Sequence, residues 1–273
     1  MKRRDFVATS LAASAAGLAA NTLAAGGGVQ ADGGSPDQAP RQYYHLVVWH
    51  LRRGPQQKMV DDLLRDAMVP ALTRAGLGPL GVFNTTIGPG SPRVYLLVSG
   101  SSIEPVANFA ELLFADPEFQ KAAGPAMNAT PAEPAYARLE SSLLRAFTGM
   151  PKVEPPASAA QHRPRIFELR IYESHSKKAN LTKIQMFNQG EIGIFRRTGL
   201  TPVFFGETLV GSNYPNLTYM LTFDDMAQRD KAWAAFINDP EWKKLSTTPG
   251  YTDVEIVSNI SNAILTPAPY SQI

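Results

Sequence analysis

Three polar side chains stand at alternate positions in the segment Phe167-Glu168-Leu169-Arg170-Ile171-Tyr172. A strand turns successive residues to opposite faces, so Glu168, Arg170 and Tyr172 share one face at a spacing of roughly 7 Å, while Phe167, Leu169 and Ile171 share the other. A carboxylate, a guanidinium and a phenol converging on a partly buried cleft can bind an oxyanion or carbonyl ligand, or hold a substrate for proton transfer. The corresponding residues earlier in the chain are His45, Val47 and Trp49. They add an imidazole beside an aromatic ring, which suits a general base or an axial ligand to a metal or haem. The same residue types also build a structural ion pair of Glu168 with Arg170 and a hydrogen-bonded core histidine, the more frequent use of such groups.

The remaining chemistry is thin. Of the four histidines, His50 turns away from His45 along its strand, His162 lies in a proline-rich segment and His175 follows a strand in a loop. With no cysteine in the chain, no metal-ligand spacing exists, and neither a metal nor a cofactor is assigned. The glycines lack the strand-to-helix context of a phosphate loop, and no Gly-x-Ser-x-Gly elbow is present. The 26 Lys and Arg residues face 24 Asp and Glu residues, and the excess lies in the first few positions, with Lys2, Arg3 and Arg4 against Asp5. The rest is formally neutral, with no basic run to displace counterions, which argues against nucleic acid as a partner.

An internal repeat positions the polar strand. Arg74, Gly76, Leu77 and Pro79 match Arg197, Gly199, Leu200 and Pro202, and Asp116-Pro117-Glu118 matches Asp239-Pro240-Glu241, at a constant offset of 123. Tyr44, Leu46 and Val48 fall on Phe167, Leu169 and Ile171 at the same offset. Each half reads as strand, helix, two strands, helix and strand. The helices show three- and four-residue apolar steps and end at Gly76 and Gly199, and Asp116 and Asp239 are suited to cap the helices that follow them. The predicted fold class is α+β: two tandem ferredoxin-like β-α-β-β-α-β repeats, packed sheet to sheet as an intramolecular barrel with helices outside. The apolar set of Phe167, Leu169 and Ile171 is expected to face the helices, leaving Glu168, Arg170 and Tyr172 in the cleft between the sheets with His45 and Trp49.

The start of the chain reads as a leader. Lys2, Arg3 and Arg4 precede a short alanine-rich run, and Arg3-Arg4 with Phe6 resembles a twin-arginine export signal for folded proteins. The run is too short and too weakly apolar for a span, so no stable membrane insertion is expected after cleavage, and the expected location is periplasmic or secreted. The expected organisation is a leader over 1–25, a flexible Gly- and Pro-rich tether over 26–40, a diverged first repeat over 41–148, a Pro-rich linker over 149–164 and a second repeat over 165–273.

The stretch "FELRIYESHSKKANLTKIQMFNQGEIGIFRRTGLTPVFFGETLVG", with the Tyr-Met-Leu strand and the Asp-Pro-Glu-Trp turn after it, resembles the NIPSNAP family over residues 165 to 265. The resemblance implies the dimeric α/β-barrel superfamily, which includes cofactor-independent monooxygenases, isomerases and haem-handling enzymes, and it supplies no catalytic residue set. The first half resembles a diverged copy without the Glu and Arg of the strand. The leading expectation is an exported protein that binds a small organic ligand between its repeats, around His45, Trp49, Glu168, Arg170 and Tyr172. The alternatives are a cofactor-independent monooxygenase or isomerase, with His45 or Glu168 as base, and a non-catalytic interaction module; homo-oligomerisation is compatible with each.

Overall fold

The computed structural model describes residues 40–161 and 163–273. The leader residues Arg3, Arg4 and Phe6, the tether up to residue 39, and His162 therefore lie outside the described residues.

The first repeat supplies β1 (Tyr43–His50), β2 (Gly81–Ile87), β3 (Arg93–Gly100) and β4 (Arg138–Ala146), and the second β5 (Ile166–Glu173), β6 (Thr201–Val210), β7 (Asn216–Phe223) and β8 (Asn259–Pro267). They close into one antiparallel barrel in the order β1-β3-β2-β8-β5-β7-β6-β4. Within each repeat the fourth strand lies beside the first and the second strand lies at the far edge, the ferredoxin-like arrangement. The two sheets then join through their edges, β2 on β8 and β4 on β6. Each sheet alone would expose two rows of unpaired backbone groups, and closure satisfies all four edges.

Helices cover the outside. In the first repeat a long helix passes through Pro55–Asp62, a π-helical turn at Leu63–Met68, and Val69–Arg74. Its counterpart passes through Lys177–Met186, a π-helical turn at Phe187–Glu191, and Ile192–Thr198. Gly76 and Gly199 follow these helices at φ 77 and 87, a left-handed conformation that glycine adopts without steric cost. Asp116 accepts from the Glu118 and Phe119 amides, and Asp239 from the Glu241 and Trp242 amides, as the capping pattern requires. The helix-end arginines reach those same caps, Arg74 at 2.6 Å and Arg197 at 2.6 Å. The two sequence signatures that reveal the repeat are thus the two halves of one clasp, built once per repeat.

The core has three layers. The lumen holds Tyr44, Leu46, Phe83, Phe167, Phe204 and Leu265 among others, drawn from both repeats, and Ile273 packs with them. Each such side chain contributes about 1.5–3 kcal/mol through burial. Outside the barrel, Val47 and Trp49 pack on Leu64 and Leu72 of the first long helix. On the opposite side, Tyr172 and Tyr219 pack on Phe187 and Phe195 of the second. The linker is laid onto the barrel: Met150 and Val153 are buried, and the Glu154 amide donates to the Val203 carbonyl at 2.9 Å.

The facing of the strands corrects the sequence-based expectation. Phe167 and Leu169 point into the lumen, whereas Glu168, Arg170 and Tyr172 point toward the helices. The lumen floor is shared by eight strands and fills with apolar side chains. The helix layer of the second repeat brings Arg229 and Trp233, which can satisfy a buried carboxylate. Among the described residues no helix is long and apolar enough to cross a membrane.

Candidate functional site

The strand registers assemble a polar mouth above the apolar lumen. On the inward face of β1, Val48 is paired with Tyr95 of β3 and with Glu140 of β4; in the next row His50 is paired with Arg93 and Arg138. Tyr95, Val48 and Glu140 therefore line up across three strands, with His50 and Arg93 one step nearer the rim. The second repeat closes the far side with Leu169 and Ile171 of β5, Asn216 and Thr218 of β7, and Ser261 of β8. Together they enclose a cavity of about 100 Å³ that opens between the β2–β3 and β6–β7 turns, at Pro89, Ser212 and Asn213.

Each polar group here has a local cause. The Arg93 guanidinium lies against the turn backbone at Gly90, where φ is +65 and a Cβ would fall 2.6 Å from Nη2. Only glycine lets the cation settle there. Its Nε is buried without a hydrogen-bond partner, and no acidic side chain pairs with the guanidinium among the described residues. His50 Nε2 stands 2.7 Å from Glu140 Oε1, at an angle too oblique for a straight hydrogen bond. Asn216 donates to the carbonyls of Ser212 at 2.8 Å and Asn213 at 3.0 Å, which fixes the rim of the β6–β7 turn.

The residues singled out from sequence form two other clusters, on opposite sides of the barrel. Glu168, fully buried, accepts from Arg170 at 2.6 Å, from Arg229 at 2.8 and 2.9 Å, from Trp233 at 2.9 Å and from Asn262 at 3.0 Å. Burial pushes its carboxyl up, but the bonds from Arg229 and Asn262 and the charge of Arg170 outweigh burial and hold it down at about 2. A carboxylate with five donors and that pKa is no proton acceptor, so the expectation of Glu168 as a base does not hold. Arg170 lies over the Trp233 ring at 4.7 Å and donates to the Tyr172 hydroxyl at 3.2 Å. Nearby, the buried Lys183 pairs with the equally buried Glu191 at 3.1 Å. Burial disfavours its ammonium, and the adjacent Glu191 carboxylate outweighs that and holds its pKa above the ordinary lysine value.

In the first repeat, His45 engages both ring nitrogens, with the Val106 carbonyl at 3.0 Å from Nδ1 and the Ser141 hydroxyl against Nε2. Its ring meets Phe109 edge-on at 4.8 Å, and burial lowers its pKa. Trp49 is buried with the first long helix. The barrel wall thus separates His45 and Trp49 from the Glu168 cluster, and none of the five sits in the mouth. Among the described residues no group of three or more His, Asp or Glu is placed to hold a metal ion.

The mouth residues His50, Arg93, Tyr95 and Glu140 escaped sequence reasoning, although a signal existed. Their structural counterparts are Glu173, Asn216, Thr218 and Ser261, as the matching registers of β5 with β7 and β8 show. Comparing inward-facing positions between repeats would have found a cation, a phenol and a His–Glu pair present in one copy only.

Fold and site together define the class, a barrel of the dimeric α/β kind closed within one chain. Residues 167–272, within its second repeat, match the NIPSNAP family model. A NIPSNAP-like domain protein from Burkholderia xenovorans is 23% identical over 40% of this chain and 90% of its own, with a TM-score of 0.37. A protein from Lactobacillus acidophilus NCFM, provisionally named a monooxygenase, is 8% identical over 83% of this chain and 94% of its own, with a TM-score of 0.53. A protein of the same provisional name from Fusobacterium nucleatum is 9% identical over 83% and 92%, with a TM-score of 0.53. At that identity the likeness shows the two-repeat fold and nothing of the chemistry. No curated protein is significantly similar to this chain in sequence.

Proposed function

We propose that the protein binds a small organic anion in the barrel mouth between its two repeats. One observation carries the reading: a guanidinium with no acidic partner among the described residues, that of Arg93, faces a cavity of about 100 Å³ with an apolar wall. A dry engineered cavity of about 150 Å³ admits benzene, so this open one suits a ligand of similar or smaller bulk. The anionic head meets Arg93, and a short apolar segment lies on Leu46, Val48, Leu169 and Ile171. The resemblance of the leader to a twin-arginine signal supports placing this binding outside the cytoplasm, after export of the folded barrel.

Calorimetric titration with short-chain carboxylates and their neutral amides tests the reading. A charge-assisted bond is worth about 1.5–3 kcal/mol, so Arg93→Met is expected to weaken carboxylate binding roughly 10- to 100-fold. Equal binding of acids and amides, or an Arg93→Met protein that binds as wild type, would sink it.

A further inference from the structure

We infer that the barrel mouth is a proton-transfer site, in which Glu140, held by His50, takes a proton from the carbon next to a ligand carbonyl while Arg93 and Tyr95 hold the ligand's oxygens. The inference rests on the ligand-binding reading and adds a reaction to it.

The geometry comes from the registers. Tyr95 and Glu140 flank Val48 on the two neighbouring strands and face inward with it. Strands lie about 4.8 Å apart, so the two backbones stand about 10 Å from each other on either side of Val48, which lines the same cavity. Neither the Tyr95 hydroxyl nor the Arg93 guanidinium has a side-chain partner among the described residues, and both residues line the cavity. Glu140 lines it too, and His50 Nε2 stands behind its carboxylate at 2.7 Å. The second-repeat half of the mouth lacks this equipment: Glu173, the counterpart of His50, is bonded to Asn259 at 2.9 Å, and Asn216, Thr218 and Ser261 are neutral.

A 2-oxo carboxylate fits these groups one for one, its carboxylate on Arg93, its keto oxygen on the Tyr95 hydroxyl and its C3–H toward Glu140. In the forward step the C3–H bond breaks and its proton goes to the Glu140 carboxylate. The released electron pair forms the C2–C3 double bond, and the C2 oxygen takes the enolate charge beside Tyr95 and Arg93. Return of a proton to C3 restores the ketone. One proton moves each way and no electrons are gained or lost, so no oxidant or reductant enters the balance. His50 does not line the cavity and is a positioning residue.

The test uses 2-oxobutanoate in deuterium oxide. Calorimetry measures its binding, and proton NMR at saturating concentration follows loss of the C3 methylene signal. The wild-type protein is expected to accelerate exchange about 100-fold or more over the protein-free rate, and Glu140→Gln to remove about 100-fold of that. Glu140→Asp retains a carboxylate and is expected to exchange faster than Glu140→Gln. His50→Asn is expected to lower the saturated rate rather than only raise the half-saturating concentration. Absence of 2-oxobutanoate binding would overturn the inference, and absence of binding by short-chain carboxylates as well would overturn the ligand reading with it. Binding without exchange, or a Glu140→Gln protein that exchanges as wild type, would overturn the inference alone.

Discussion

Replacing Glu168 by glutamine removes a charge on which four side chains converge, and its cost follows from two independent routes. The Glu168 carboxyl moves from an ordinary value of 4.5 to about 2 in the folded protein. At about 1.4 kcal/mol per pKa unit, that shift corresponds to roughly 3 kcal/mol of stability at neutral pH. Breaking a buried ion pair from one side costs about 3–5 kcal/mol, a compatible figure. The amide introduced by Glu168→Gln also turns a donor toward the Trp233 and Arg229 donors. Because the folded pKa is depressed, this stability is fully present above the unfolded value of 4.5 and drains away as pH falls toward 2. The difference between wild type and Glu168→Gln should therefore be about 3 kcal/mol at pH 7, a loss of roughly 6–12 °C in Tm, and shrink to about 1 kcal/mol at pH 2.5. Urea unfolding followed by tryptophan fluorescence at both pH values reads it. A difference below about 1 kcal/mol at pH 7, or one unchanged at pH 2.5, would refute the saturated-carboxylate argument.

Lys183→Met strands the buried Glu191 carboxylate and is expected to cost about 3–5 kcal/mol, whereas Lys183→Met with Glu191→Leu should recover most of that loss. The first repeat already places Val60 and Met68 at the corresponding positions, both buried. Thermal unfolding by circular dichroism decides it, and a double variant no more stable than the single would count against the pairing. Gly90→Ala puts a Cβ at 2.6 Å from Arg93 Nη2 and strains a left-handed residue, so it is expected to cost about 1 kcal/mol and to weaken carboxylate binding in the same calorimetric titration. Unchanged affinity would mean that the Arg93 position does not matter to the ligand.

The fold was legible because the repeat left paired marks. Arg74 with Asp116 and Arg197 with Asp239 stand at one offset because each pair closes the same clasp, and the glycines after the helices mark the same turn twice. The facing of the strands was not legible. Alternation in β5 divides Phe167, Leu169 and Ile171 from Glu168, Arg170 and Tyr172, but both faces of β5 are covered, one by the lumen and one by helices. Polarity points to solvent only where one face is wet. A cavity does lie between the repeats, but the residues expected in it lie behind its wall. His50 and Arg93 stood at strand ends, where a polar side chain reads as an ordinary boundary, and only the registers bring them to Glu140 and Tyr95.

Joining both repeats in one chain changes what evolution and dilution can do to the barrel. When two identical subunits make such a ring, every residue at its mouth occurs twice, and an arginine placed like Arg93 would face its own copy across the lumen. The covalent link releases that constraint, which is how Asn216 can stand where symmetry would demand a second cation. It also fixes the local concentration of one half around the other, so the β2–β8 and β4–β6 seams do not depend on how much protein is present. The ring stays closed, and its charged mouth stays assembled, at dilutions where a two-subunit version would fall apart.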